Sequence, residues 1–249
     1  MTAPTTLPEQ QPRPRADTVT DAISIRGLTK SYGSTMALDG LDLQLPYGQV
    51  VGLLGENGCG KTSLLKVLAG VLADYDGEVR IAGHEPGPES KARVSFLPDA
   101  SFLADSARVT ECIRLYDDCF ADFEPERALD LLGFFGLDAA MRLREMSKGM
   151  REKVQIALAM SRRARVYLLD EPISGIDPAA RDVILQGVLR NLSEESLLVI
   201  STHLIHDLEP ILDGVVMMRR GRAVLQGQVD DLRAEHGRSI DQLFREVYR

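Results

Sequence analysis

Apolar and polar residues alternate over Ala22–Arg26, the pattern of a strand with one face buried. A second strand is predicted over Leu41–Leu45, ahead of the turn residues Pro46-Tyr47-Gly48. Gln49–Leu54 differs: Val50, Val51, Leu53 and Leu54 leave almost no polar position, which fits a strand covered on both faces of a parallel sheet. A glycine-rich turn follows. Leu64, Leu65, Val67 and Leu68 then fall at helical spacing, closed by Gly70. Further strands are expected at Gly77–Ala82, Val94–Leu97, Val166–Leu169 and Leu197–Thr202. A hairpin is expected from Gly214–Arg219 and Ala223–Gln226 around Arg220-Gly221-Arg222. From about Ala100 to Arg165 glycines are few and helix formers many. Within Glu126–Phe135, Ala128, Leu131, Leu132 and Phe135 keep a helical period. A last helix is read at Ser239–Val247, and no internal repeat is present.

This order predicts an α/β fold with a mixed sheet: a core built from residues 21–99 and 166–230, an inserted all-helical lobe at 100–165, and a C-terminal helix within 231–249. The Pro-, Thr- and Gln-rich residues 1–20 read as a flexible tail. The 249 residues suit one domain with an inserted lobe, and the stretch after Gln226 is too short for a further regulatory domain. Acidic residues outnumber basic ones, 37 to 29, which speaks against a nucleic-acid partner. No stretch nears the ~18 apolar residues of a membrane span, and the first residues lack the form of a secretory signal. Cys59, Cys112 and Cys119 are too sparse for a disulfide framework or a Cys-x-x-Cys metal site, so a reduced, cytosolic protein is expected. Cys112 and Cys119 are expected to be buried in the helical lobe.

Gly55-Glu56-Asn57-Gly58-Cys59-Gly60-Lys61-Thr62 matches G-x-x-x-x-G-K-[ST] without deviation, between a predicted strand and a predicted helix. Gly55, Gly58 and Gly60 are free to take backbone angles closed to other residues, which lets successive N–H groups turn towards an anion. The helix that follows, with Thr62 and Ser63 in its first turn, points its unpaired N–H groups and positive dipole end at the same anion. Lys61 supplies a charge for the β- and γ-phosphates, and the Thr62 hydroxyl is a hard oxygen ligand suited to Mg²⁺. Cys59 fills a small-residue slot in the loop. Val166–Leu169 runs into Asp170 and Glu171. In sheets of this kind ligands lie beyond the carboxyl ends of the strands, so Asp170 can share the Mg²⁺ shell with Thr62 while Glu171 polarises an attacking water. Strand alternation would aim the two carboxylates in different directions.

The whole set resembles the ATP-binding subunit of an ABC transporter, over almost the full chain. Tyr32, in Ser31-Tyr32-Gly33, matches the aromatic that stacks on adenine. Ser147-Lys148-Gly149-Met150-Arg151 lies where the family signature begins a helix, and Ser174-Gly175-Ile176-Asp177 resembles the loop that crosses the dimer interface. His203 matches the switch histidine that reaches the γ-phosphate. The resemblance assigns Asp170 to Mg²⁺ and Glu171 to catalysis. Two positions depart from the family pattern. The signature, usually Leu-Ser-Gly-Gly-Gln, reads Met146-Ser147-Lys148-Gly149-Met150, which keeps Ser147 and Gly149. The switch loop carries Asp99 after Phe96-Leu97-Pro98 where glutamine is usual; an acid there still offers an oxygen to Mg²⁺.

The resemblance implies an ATPase of two lobes that binds ATP and Mg²⁺ and forms homo- or heterodimers. Each ATP would be held between one chain's phosphate loop and the other's signature. It also implies a separate membrane-spanning permease, docked on the helical lobe, and a place on the cytoplasmic face of the cell membrane. Phe102, Leu103, Phe120 and Phe123 are candidates for that docking surface, although most of them are expected in the lobe's own core. The altered signature and Asp99 look more like exporters. The alternative is a soluble ATPase of the same family acting in translation, on DNA or in cofactor assembly. The acidic charge and the lack of a second ATPase unit or a long coiled coil weigh against that alternative.

Overall fold

Strands buried on both faces gather in one sheet, closed at its edge by one exposed strand, and strands buried on one face form a second. The computed structural model describes residues 21–248; the expected tail, residues 1–20, lies outside the described residues. The chain opens with the hairpin β1 (Asp21–Tyr32) and β2 (Thr35–Pro46), followed by β3 (Gln49–Leu54), α1 (Lys61–Leu68) and β4 (Asp76–Ile81). β4 pairs with β1, giving an antiparallel sheet of order β2-β1-β4. A short helix, α2 (Pro88–Lys91), leads to β5 (Val94–Leu97), and three helices follow: α3 (Val109–Cys119), α4 (Pro125–Phe134) and α5 (Lys148–Met160). Then come β6 (Val166–Asp170), α6 (Pro178–Arg190), β7 (Leu197–Thr202), α7 (Ile205–Leu208), β8 (Gly214–Arg219), β9 (Arg222–Gln228), α8 (Val229–His236) and α9 (Ile240–Val247). The second sheet has the order β5-β6-β7-β3-β8-β9 and is parallel except for β9.

The mixed sheet expected from the sequence is this six-stranded one, and β1, β2 and β4 form a separate antiparallel sheet beside it. The physical reason lies in the burial patterns. β2 alternates buried and exposed positions from Leu41 to Leu45, as an antiparallel sheet with one wet face requires, whereas β6 and β7 are buried at every position. Alternate residues of the central strands serve two cores. Val51, Leu53, Val166, Leu168, Leu197 and Val199 pack towards α1 and the small sheet. Val50, Leu54, Tyr167, Leu169, Leu198 and Ile200 pack on the other side, with the helices.

That second core runs without a break from the sheet into α3, α4 and α5, through Ile113, Tyr116, Leu131, Leu132 and Ile156. Arg162 adds a polar tie. It is 3% exposed, pairs with Asp122 at 2.9 Å, donates to Val94 O at 2.6 Å and lies 4.1 Å over the Phe120 ring. Cys112 is buried, but Cys119 is exposed, against expectation. It stands in the last turn of α3, at the flank of the face formed by Val109, Cys112, Ile113 and Tyr116. Phe123 belongs to the core, Leu103 and Phe120 are partly buried against it, and Phe102 is 48% exposed. α2, α6 and α8 have no counterpart in the predicted elements. In α6 the buried Ile184, Leu185 and Val188 sit only in the second half, too short a run to show a helical period. Among the described residues no helix is long and apolar enough to cross a membrane.

Candidate nucleotide-binding site

Gly55–Thr62, the candidate phosphate loop, lies where β3 gives way to α1. Gly58 (φ 82°) and Gly60 (φ 113°) take left-handed angles, as expected. Gly55 does not; it is a glycine because there is no room. A Cβ on it would fall 2.5 Å from Cys59 Sγ and 2.7 Å from Met218 O. Helix α1 starts at Gly60 with no side-chain cap and no acidic residue in its first turn, so its first N–H groups stay available to an anion. Thr62 is exposed and Ser63 half-buried in that turn. Lys61 is buried; its Nζ donates to Gly55 O at 2.7 Å and to Glu56 O at 3.2 Å, and stands 3.6 Å from Glu171 Oε1. The Cys59 thiol turns under the loop, where burial raises its pKa against the lowering pull of Lys61.

β7 separates β6 from β3, and all three end on the same side of the sheet. Asp170 is buried at the end of β6, where Ser201 Oγ donates to its Oδ1 at 2.5 Å. Its Oδ2 is buried without a hydrogen-bond partner. Glu171 does not continue the strand's alternation. Its φ is +50°, and its N–H donates to Ser201 O at 3.1 Å and to Ser201 Oγ at 3.0 Å. A left-handed non-glycine residue is strained, and here the surrounding bonds hold it. The turned backbone, not strand alternation, aims the Glu171 carboxylate at Lys61. His203 Nδ1–H donates to Glu171 Oε2 at 3.0 Å, since an ionised carboxylate only accepts.

Lys61 and Glu171 open on a cleft of about 420 Å³ lined also by Tyr32, Met36, Asn57, Gly58, Gly60, Thr62, Ser63 and Asp99, with Thr35 and Ala37; Asp170 and His203 are not part of its lining. Tyr32 is 48% exposed and has the Lys30 ammonium 5.2 Å from its ring centre, itself held by Asp74 at 2.8 Å. Ser147, Gly149 and Asp177 do not line this cleft. Ser147 accepts from Met150 N at 3.3 Å as the N-cap of α5, and Asp177 accepts from Ala180 N at 3.0 Å as the N-cap of α6. Sequence reasoning missed two residues around the site, Ser201 and Glu152, and marked Lys148 only as a departure within the signature. Ser201 orders both carboxylates. Lys148 reaches the neighbouring loop: a Cβ on Gly175 would lie 2.7 Å from its Nζ. Glu152, on α5, has its pKa raised to about 6 by burial; Lys148 lowers it and Asp99 raises it further. No sequence signal marks Ser201, whose partners lie at the end of β6, or Glu152, whose shift comes chiefly from burial by the fold.

A profile of the ABC transporter family matches residues 38–174, from β2 through the phosphate loop and Asp99 to the loop after Glu171. The chain belongs to this family. Proteins of the family are ATPases, and this chain is one of them. A daunorubicin resistance ATP-binding protein of Streptomyces coeruleorubidus is 32% identical over 235 residues, covering 91% of this chain and 74% of that one. A Nod factor export ATP-binding protein of Ralstonia nicotianae is 32% identical over 232 residues, covering 90% and 72%. Among solved structures, the ATP binding subunit of an ABC transporter superposes with a TM-score of 0.82 at 27% identity, over 92% of this chain and all of that one. The two-sheet core and the helices on it are thus the fold of an ABC ATPase cassette.

Proposed function

We propose that this ABC ATPase is the motor subunit of an exporter, driving a separate membrane-spanning permease through ATP-dependent dimerisation. The observation that carries the reading is the division of the site within one chain. The phosphate loop, Tyr32, Asp99 and Glu171 share the cleft, whereas the N-terminus of α5 at Ser147–Gly149 lies outside it, with Ser147 exposed and nothing within 4 Å of a Cβ on Gly149. A helix start of this kind suits a phosphate, and a second chain brought head to tail would present it to the open side of the nucleotide. Asp177 would stand in the same interface. The names of the relatives, drug resistance and Nod factor export, support the export direction.

Within the site, Lys61 and the loop N–H groups bind the phosphates, Tyr32 stacks on adenine, Glu171 takes the proton of the attacking water and His203 holds Glu171. The residues present fit Mg²⁺. Asp170 Oδ2 is an acceptor buried without a donor, with Thr62 at the start of α1 and Asp99 at the rim as further oxygens. Among the described residues no three His, Cys, Asp or Glu side chains gather to hold a metal by themselves. That suits an ion whose remaining ligands are water and phosphate oxygens. Mg²⁺ held there would draw charge from the β- and γ-phosphates.

The reading places the chain on the cytoplasmic face of the membrane, bound to its permease. Extraction of native membranes in mild detergent, with an affinity tag on this chain, tests it. Recovery of a membrane-spanning partner supports transport. Recovery of the chain alone from the soluble fraction would favour a non-transport ATPase.

A further inference from the structure

The underside of the phosphate loop is closed by a residue far along the chain. Parallel pairing of β3 with β8 ends at Leu54↔Met217, because the chain turns away at Gly55. The next carbonyl on β8, that of Met218, accepts the hydroxyl of Tyr248, the residue that follows α9. These groups touch Gly55. A Cβ there would lie 2.7 Å from Met218 O and 3.2 Å from the Tyr248 hydroxyl. From above, Gly55 O accepts Lys61 Nζ at 2.7 Å. Gly55 is thus clasped between the ammonium meant for phosphate and the tyrosine below. Tyr248 is fixed in turn: its ring centre lies 4.2 Å from that of Phe244, and Arg219 donates to Val247 O at 2.8 Å. Burial pushes the Tyr248 hydroxyl above the usual phenol range, so it stays a neutral donor. The loop's other end is tied as well, since Gly221 N donates to Cys59 O at 2.9 Å.

We propose that Tyr248 is a positioning residue for ATP binding: through the Met218 carbonyl it holds Gly55, and with it the loop's N–H groups, in the arrangement that receives the phosphates. The inference rests on the reading of Gly55–Thr62 as the phosphate site. An anion nest works only when its donors are already aimed, and a loop without its lower contact must be ordered at the moment of binding. Affinity then falls, while the chemistry at Glu171, just past the end of β6, keeps its rate once ATP is bound.

Three variants test this, read by the Kd for a fluorescent ATP analogue, by KM and kcat, and by thermal melting. Tyr248→Phe removes only the hydroxyl. It should raise Kd and KM about 3- to 10-fold, the effect of one hydrogen bond, with kcat and the melt nearly unchanged. Tyr248→Ala should raise Kd further. Leu243→Ala, which thins the core under the same helix, should lower the melt and leave Kd alone. Wild-type Kd in both Tyr248 variants, while Lys61→Ala loses binding, would overturn the positioning role and leave the site intact. Weakening by Leu243→Ala as large as that of Tyr248→Phe would also overturn it. Undiminished binding by Lys61→Ala would refute the phosphate-loop reading, and the proposal with it.

Discussion

Glu171→Gln separates the two duties proposed for this side chain. One oxygen, Oε2, accepts from His203 at 3.0 Å; the other, Oε1, is buried, unbonded and 3.6 Å from the Lys61 ammonium. The swap keeps shape and volume, so the fold should be unaffected. It removes the proposed base, and loss of a positioned general base slows a reaction by about 10²- to 10⁴-fold. It also removes a competitor for Lys61. At an effective dielectric near 20, unit charges 3.6 Å apart attract by about 5 kcal/mol. Most of that is offset because Lys61 meets phosphate when ATP binds. A net gain of about 1 kcal/mol, or about fivefold tighter ATP binding, is expected from the lost competition and from one negative charge fewer beside the γ-phosphate. Phosphate release measured at saturating ATP, with Kd from a fluorescent analogue, checks both numbers. Size exclusion with ATP should show a longer-lived dimer. Turnover within threefold of wild type would show that another group activates the water. Weaker ATP binding would show that Glu171 does not compete for Lys61.

If Asp99 ligates Mg²⁺ from the cleft rim, Asp99→Gln should raise the Mg²⁺ needed for half-maximal turnover, and Asp99→Ala should raise it at least as far. Identical midpoints would remove Asp99 from the metal. Glu152 has its folded pKa raised from 4.5 to about 6, chiefly by burial. The folded state therefore binds its proton more tightly, and the group's cost is absent below the ordinary glutamate range, grows through about pH 6 and is complete above it. Glu152→Gln should flatten that part of the stability–pH curve and stabilise the protein at pH 7.5 by about 1 kcal/mol, a figure reduced for the side chain's partial exposure to solvent. Urea melts from pH 4.5 to 7.5 decide it, and a curve parallel to wild type would contradict the burial argument. Arg162→Met removes the cation that joins Asp122 and Val94 O in the core, and should cost about 3 kcal/mol in a urea melt; a cost below about 1 kcal/mol would show that the tie is dispensable.

The chain's local patterns carried much of the protein. An apolar strand, a glycine-rich turn and a helical spacing in direct succession pointed to the proposed phosphate site, because every group in an anion nest is a neighbour in sequence. The same holds for the strand that ends in Asp170-Glu171 and for the Ser147 cap. Tertiary structure alone decided how these pieces meet. One-faced and two-faced burial marked the strands correctly, but only pairing assigned them to two sheets, since a strand's pattern does not name its partner. Gly55 reads the same whether the chain needs a left-handed angle or mere space, and Met218 O beside it supplied the answer. The aim of Glu171 follows from a backbone angle of +50° held by Ser201, a residue of another strand. Lys148 over Gly175, Arg162 in the core and Tyr248 under the candidate phosphate loop are likewise contacts across long stretches of chain. Local sequence patterning cannot encode them, because burial and charge there are set by whatever the fold brings alongside.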